Sequence, residues 1–175
     1  MKTDASLLHF LLHSADLVEE HLRRRLTRIE LRPRQARVLD ALARMEPASQ
    51  VSLARAFDVT PASMSTMTTR LIEAGFITRE IDPSEARSNL LRLTDRGRGL
   101  LSEIHTAWRE IDAMIAEQIG AEKAADLGSL TRDLRDGLGG HAPGRRASES
   151  VISHEHIDDE NRNDENRKFN NLPER

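Results

Sequence analysis

Residues 82–88 read DPSEARS, and they set one arginine, Arg87, in a turn with two carboxylates, Asp82 and Glu85. A guanidinium stays protonated and presents several N–H donors in a rigid fork, so its chemistry is anion recognition rather than proton transfer. Acids beside it can hold so long a side chain in one orientation, Asp82 and Glu85 acting as supports. The plain alternative is a solvated turn carrying a surface ion pair. A second group is a run of short polar side chains. With Met64, Met67 and Leu71 turned inward on a helix, the residues facing out are Pro61, Ala62, Ser63, Ser65, Thr66, Thr69 and Arg70. Hydroxyls and one arginine can hydrogen-bond to phosphates and to polar edges, although an exposed Ser/Thr-rich helix face would look the same.

Other candidate groups are weaker. His9 and His13 stand at i, i+4, a spacing that can share a metal, with Asp16 and Glu20 further along. No third and fourth ligand is evident, and surface or interface histidines account for the pair. The sequence HEH near the C-terminus has the same shortage of partners. HLRRRLTR, residues 21–28, reads as the solvated face of a long helix or as a contact for a carboxylate-bearing ligand. No nucleophile–base pair, phosphate loop or metal cluster supports an enzyme, and no cofactor is expected.

The bulk composition sets limits. The chain has 175 residues and a net charge of −3, with 31% charged residues. Such a balance argues against nucleic-acid binding by bulk charge alone and leaves it to locally placed arginines and lysines. Cysteine is absent, which excludes disulfides, thiolate zinc sites and cysteine redox sensing. The run LLHFLLHSA is interrupted by His9 and His13 and flanked by acids, so it reads as a helix face rather than a secretion signal. No stretch is long and apolar enough to span a bilayer. A soluble, cytoplasmic protein with no membrane association is expected.

The elements that must position these groups follow from period and punctuation. Leu8, Leu11, Leu12, Ala15, Val18, Leu22, Leu26 and Ile29 keep helical spacing. Pro33 opens a second helix and Pro47 stops it. Val51–Phe57 is a short third helix with Ser52 a candidate cap. Thr60 caps a fourth helix, Pro61 occupies its first position, and Gly75 closes it. FITREI and NLLRL flank turn chemistry and predict a β-hairpin. Thr94 and Asp95 start a helix that carries Leu101, Ile104, Trp108, Ile111 and Ile115 on one face, until Gly120 breaks it. A last helix carries Leu127, Leu130, Leu134 and Leu138. Beyond it the chain is polar and charged, too poor in apolar side chains to offset the entropy of ordering.

The segments LRPRQARVLDAL, VSLARAFDVTPASMSTMTTRLIEAGFITRE and DPSEARSNLLRLTDRG, in that order and between long helices, resemble the MarR family of bacterial transcription regulators from about residue 6 to 138. The resemblance implies a mainly α fold, a winged helix-turn-helix with a small β-hairpin wing and long flanking dimerisation helices. It implies a homodimer that binds double-stranded, pseudo-palindromic DNA and answers to a small lipophilic or phenolic effector, the repressor or activator sense being open. Residues 1–30 would be the N-terminal dimerisation helix, 31–99 the DNA-binding lobe, 94–139 the C-terminal dimerisation helices and 140–175 a disordered polar tail. A hairpin tip can enter a narrow, strongly negative minor groove, so Arg87 is the insertion candidate, with Ser88 beside it. The fourth helix would read the major groove, and Ser52 would serve as a cap or phosphate contact. One or two of Arg92, Arg96 and Arg98 are expected at phosphate, with Arg34 and Arg37 open between phosphate and solvent. His13 and Trp108 are candidates for lining an effector pocket, Trp108 equally for core packing. The rival reading is a winged-helix module for protein association that has lost DNA binding.

Overall fold

A computed structural model describes residues 6–82 and 85–140; side chains from 82 to 88 lie outside the described residues, as do Pro83, Ser84, and the whole of 1–5 and 141–175. The tail expected over 140–175 therefore falls, from 141 on, outside what is described. Seven helices and three strands follow in the order α1 (Leu7–Leu26), a 3-10 turn (Thr27–Ile29), α2 (Pro33–Met45), β1 (Ala48–Ser49), α3 (Gln50–Ala56), α4 (Pro61–Glu73), β2 (Ile77–Asp82), β3 (Glu85–Leu93), α5 (Asp95–Gly99), α6 (Leu101–Ile119) and α7 (Ala121–Gly137).

The ends of these helices are written locally. Pro33 and Pro61 take first-turn positions, where a missing N–H is no loss. Thr60 Oγ1 accepts the Ser63 N–H at 3.2 Å. Gly75 adopts φ +73°, the left-handed residue that ends α4. Two expectations are corrected. The cap of α3 is Ser49, whose Oγ accepts the Ser52 N–H at 3.0 Å. Ser52 lies inside the helix and donates its own hydroxyl to the Ser49 carbonyl at 2.7 Å. The helix expected from Thr94 to Gly120 is two helices that part at Leu100, after Gly97 and Gly99 have weakened its first turn.

β2 and β3 form the hairpin, with Ile77 opposite Leu93 and Arg79 opposite Leu91, and the register shifts between Ile81 and Asp82. A short strand that the sequence reading did not anticipate, β1, pairs on the other side of β3 and gives the sheet order β1-β3-β2. The core lies where α2, α3, α4, the sheet and the first half of α6 converge. Leu39, Leu42, Leu53, Met64, Leu71, Ile77, Leu91 and Ile104 are fully buried there. Leu26, at the end of α1, joins the same core. Together α2, α3, α4 and the hairpin make a winged helix-turn-helix, flanked by long helices.

The flanking helices are covered unevenly. Leu8, Leu11 and Leu12 on the N-terminal half of α1 are exposed, as are Leu127, Leu130 and Leu134 on α7, which buries no residue. No described helix is long and apolar enough to cross a membrane.

Candidate nucleic-acid interface

α4 presents the polar face expected of it. Pro61, Ala62, Ser63, Thr66, Thr69 and Arg70 are exposed, while Met64 and Leu71 anchor the helix in the core and Met67 is half-buried. Ser65 is only half-buried rather than fully outward. Thr68, between the exposed threonines, is buried and donates its hydroxyl to the Ser65 carbonyl at 3.1 Å. Ser63 accepts from Thr60 Oγ1 at 2.9 Å, and Thr66 donates to the Ala62 carbonyl at 3.2 Å. Both oxygens keep capacity to accept, and the Arg70 guanidinium has no partner among the described residues. One face of one helix thus offers hydroxyls, first-turn amides and a cation, a set suited to a polyanion.

The hairpin beside it is fastened from α2. Glu46, which caps the C-terminus of α2, accepts the Leu93 N–H at 2.9 Å through Oε2 and pairs with Arg98 through Oε1. One carboxylate thereby ties the reading lobe to the base of the wing and to α5. Sequence reasoning passed over Glu46, because nothing near it in the chain announces a partner 47 residues away. Thr94 completes the junction: its hydroxyl accepts the Gly97 N–H at 3.0 Å and donates to the Gly75 carbonyl at 2.8 Å.

The wing-base arginines are occupied within the fold. Arg92 pairs with Glu80 across the hairpin at 3.1 Å. Arg96 donates to the Ala74 carbonyl at 3.0 Å and lies over the Phe76 ring at 4.8 Å. Arg98 is held by Glu46. Of the other expected contacts, Arg37 sits over Phe57 at 5.7 Å. Asp82, Glu85, Arg87 and Ser88 belong to β2 and β3 by backbone, with Asp82 opposite Glu85, and their side chains lie outside the described residues.

His13 is exposed on α1 and Trp108 is half-buried on α6, its ring 5.5 Å from that of His105. Neither lines the cleft of about 200 Å³ where the end of α1 meets α6, whose walls include Arg28, Ile29, Ser102 and Thr106. Of the basic stretch beside that cleft, Arg23 and Arg24 both hold Glu20, and Arg25 pairs with Glu110 at 3.0 Å. Among the described residues no cluster of acids and histidines could hold a metal.

A helix-turn-helix, a wing bolted to it and long helices on both sides invite comparison with known proteins. The model of the MarR family matches residues 31–88, the span from the approach to α2 into the first residues of β3. Over those residues the chain is similar to the MarR family. The HTH-type transcriptional repressors Rv2887 of Mycobacterium tuberculosis and Mb2911 of Mycobacterium bovis are similar to this chain, each 31% identical over 86 residues, which is 49% of this chain and 62% of theirs. The match therefore spans less than two thirds of those relatives. Among solved structures, MarR superposes with a TM-score of 0.70 at 24% identity, over 79% of this chain and 95% of its own. The MepR–DNA complex of S. aureus gives 0.69 at 17%, over 77% and 100%. CouR bound to a 23-mer DNA duplex gives 0.69 at 24%, over 74% and 92%. At these identities the structures establish the fold, a winged helix-turn-helix between long helices.

Proposed function

We propose that this chain is a DNA-binding transcription regulator of the repressor kind, acting as a homodimer on pseudo-palindromic operators, and not an enzyme. α4 enters the major groove with Pro61, Ala62, Ser63, Ser65, Thr66, Thr69 and Arg70, and the β2–β3 wing brings Arg87 and Ser88 to the neighbouring minor groove, with Asp82 and Glu85 in support. Ser52, in the first turn of α3, contacts a DNA phosphate. The observation that carries this reading is the exposed hydroxyl and Arg70 face of α4, capped by Thr60 and standing next to a hairpin locked to the same lobe by Glu46. DNA-bound MepR and CouR, which share the fold, support it.

A small lipophilic or phenolic effector that seats between the reading lobes and the dimerisation helices, near His13 and Trp108, would alter the separation of the two reading helices. Half-sites about one helical turn apart would then no longer be matched. The test is an electrophoretic mobility shift with the DNA upstream of the protein's own gene, without and with small phenols. A saturable, sequence-dependent shift is expected. Failure to bind that DNA and any duplex selected from a random pool would overturn the proposal. The protein-association reading, which the net charge of −3 favours, would take its place.

A further inference from the structure

The buried polar or charged side chains among the described residues are Thr68 and Asp40. Thr68 serves its own helix. Asp40 stands in the run Val38-Leu39-Asp40-Ala41-Leu42 of α2, every member of which is buried. A carboxylate in such a place is unfavourable unless charges or donors meet it. Two groups do. Arg44, one turn along the same helix, pairs with Oδ2. His105 of α6 meets Oδ1 through Nε2 at 2.7 Å. An ionised carboxylate can only accept, so Nε2 carries the shared proton.

The two partners differ in what they specify. Arg44 belongs to α2, so its pair with Asp40 is made within one helix. His105 comes from 65 residues away, between Ile104 and Ala107, which enter the same core as Leu39 and Leu42. Apolar contact is non-directional and tolerates a helix that slides or rolls. A hydrogen bond to a buried carboxylate tolerates neither, and the Trp108 ring lies 5.5 Å from the imidazole, with ring planes inclined by 45°.

We propose that Asp40 and His105 form a clasp that sets the register of α6 on α2 and thereby the orientation of the reading lobe on the dimer. Both are positioning residues for DNA recognition. The register claim stands on the geometry alone, whereas the link to DNA rests on the function proposed above. Fixing register is the best-attested use of a buried polar contact.

The test has a DNA-free arm. The chain has no cysteine, so Glu73→Cys on α4 and Glu117→Cys on α6, both exposed, can be spin-labelled in the full chain. Diluting labelled chain into unlabelled chain confines the measured distance to one protomer. The parent should give one narrow distribution. His105→Phe keeps a ring against Trp108 but removes the donor, and should broaden or shift the distribution, as should Asp40→Asn. His105→Gln returns an N–H near the Nε2 position and should restore it. Should Asp40→Asn fail to fold, the His105 pair decides the matter, since that side chain is 45% exposed and its loss opens no cavity in the core. A distribution for His105→Phe as narrow as the parent's, at the same distance, overturns the clasp. In the DNA arm, duplexes selected by the wild-type chain from a random pool are compared with the same duplexes carrying one base pair inserted between half-sites. His105→Phe should lower the discrimination between them by about tenfold, as expected of a coupled contact, and His105→Gln should keep it. Unchanged discrimination beside a broadened distribution overturns the link to DNA. If the wild type selects no duplex, the proposed function fails and the distance arm still decides the clasp.

Discussion

Arg87 is a residue whose importance can be read from its neighbours in sequence and tested without unfolding anything. By backbone it lies near the start of β3, at the tip end of the hairpin and away from the core residues, so Arg87→Ala should leave thermal stability nearly unchanged. Operator binding should weaken by about 1–3 kcal/mol per subunit, and the salt dependence should become shallower because fewer counterions are released. Glu85→Ala should give a milder defect if it orients Arg87. A salt titration of operator affinity measures both variants, and an unaltered Arg87→Ala affinity would remove the wing from the interface. Gly97 is the opposite case, a structural requirement. A Cβ there would stand 2.1 Å from the Phe76 carbonyl oxygen, the acceptor of the Thr94 N–H. Neither backbone group can withdraw without breaking the junction of wing and α5. Gly97→Ala should destabilise the fold by at least ~2 kcal/mol, in the manner of overpacking against a rigid partner. Gly99, two positions on, has nothing within 4 Å, and Gly99→Ala should be neutral or stabilise by ~0.5–1 kcal/mol through helix propensity. Urea denaturation of the two variants compares them directly, and equal midpoints would contradict the steric argument.

At the scale of elements, α3 and α1 each carry a test. Ser49 caps α3 through the Ser52 amide, so Ser49→Ala should lower stability by ~1 kcal/mol. Ser52→Ala removes a hydroxyl that donates to the Ser49 carbonyl and accepts from Ser49 Oγ at 3.2 Å but caps no helix amide, and should have the smaller effect. The reverse order in thermal melts would restore Ser52 as the cap. On α1, hydrogen bonds from Arg23 and then Arg24 hold the Glu20 carboxyl down to about 2, from an ordinary 4.5. A depressed folded-state value means that the stabilisation is present above the unfolded value and is lost as pH falls through the folded one. The Glu20 contribution to α1 should thus be intact at neutral pH and fade between the two values. The cluster is exposed, so salt should weaken it. NMR titration of the Glu20 carboxyl reads the midpoint, and one near 4.5 would show that the pairs do not persist in solution.

For the whole molecule, the exposed leucines of α1 and α7 are the main unfinished business of the single chain. Leu8 and Leu12 on α1 and Leu130 on α7 are each more than half exposed, as is Leu138 just past the end of α7. Burying such stripes against a second copy is what the proposed dimer requires, and a stable interface covers about 1,200–2,000 Å² in total. Light scattering should return the dimer mass at micromolar concentration. Leu130→Glu, at a position already 65% exposed in the isolated chain, should shift it toward the monomer without disturbing the helix-turn-helix core. A monomer mass for the wild-type chain would sink both the dimer and the two-lobed reading of DNA.

Much of the architecture was legible in the chain because its signals are short-range. The apolar spacing of α1, the pairing of Thr60 with Pro61 at the head of α4, Gly75 at its end and the turn chemistry between β2 and β3 each act over a few residues, through hydrogen bonds and dihedral limits that need no distant partner. The outward face of α4 followed from that periodicity, which leaves the buried Thr68 off that face, and only Ser65 turns out half-buried. What lay beyond the sequence reading were contacts whose partners are far apart in the chain. β1 exists because Ala48 and Ser49 lie beside Leu91 and Leu90. Glu46 matters because Leu93 and Arg98 arrive at it, and Arg92, Arg96 and Arg98 are held by Glu80, Ala74, Phe76 and Glu46. Asp40 is an unremarked acid in an amphipathic helix until packing buries it and brings His105 to it. Local periodicity determines which face of a helix is apolar, whereas only the packed core decides which polar side chain loses its water and must find a partner in its place.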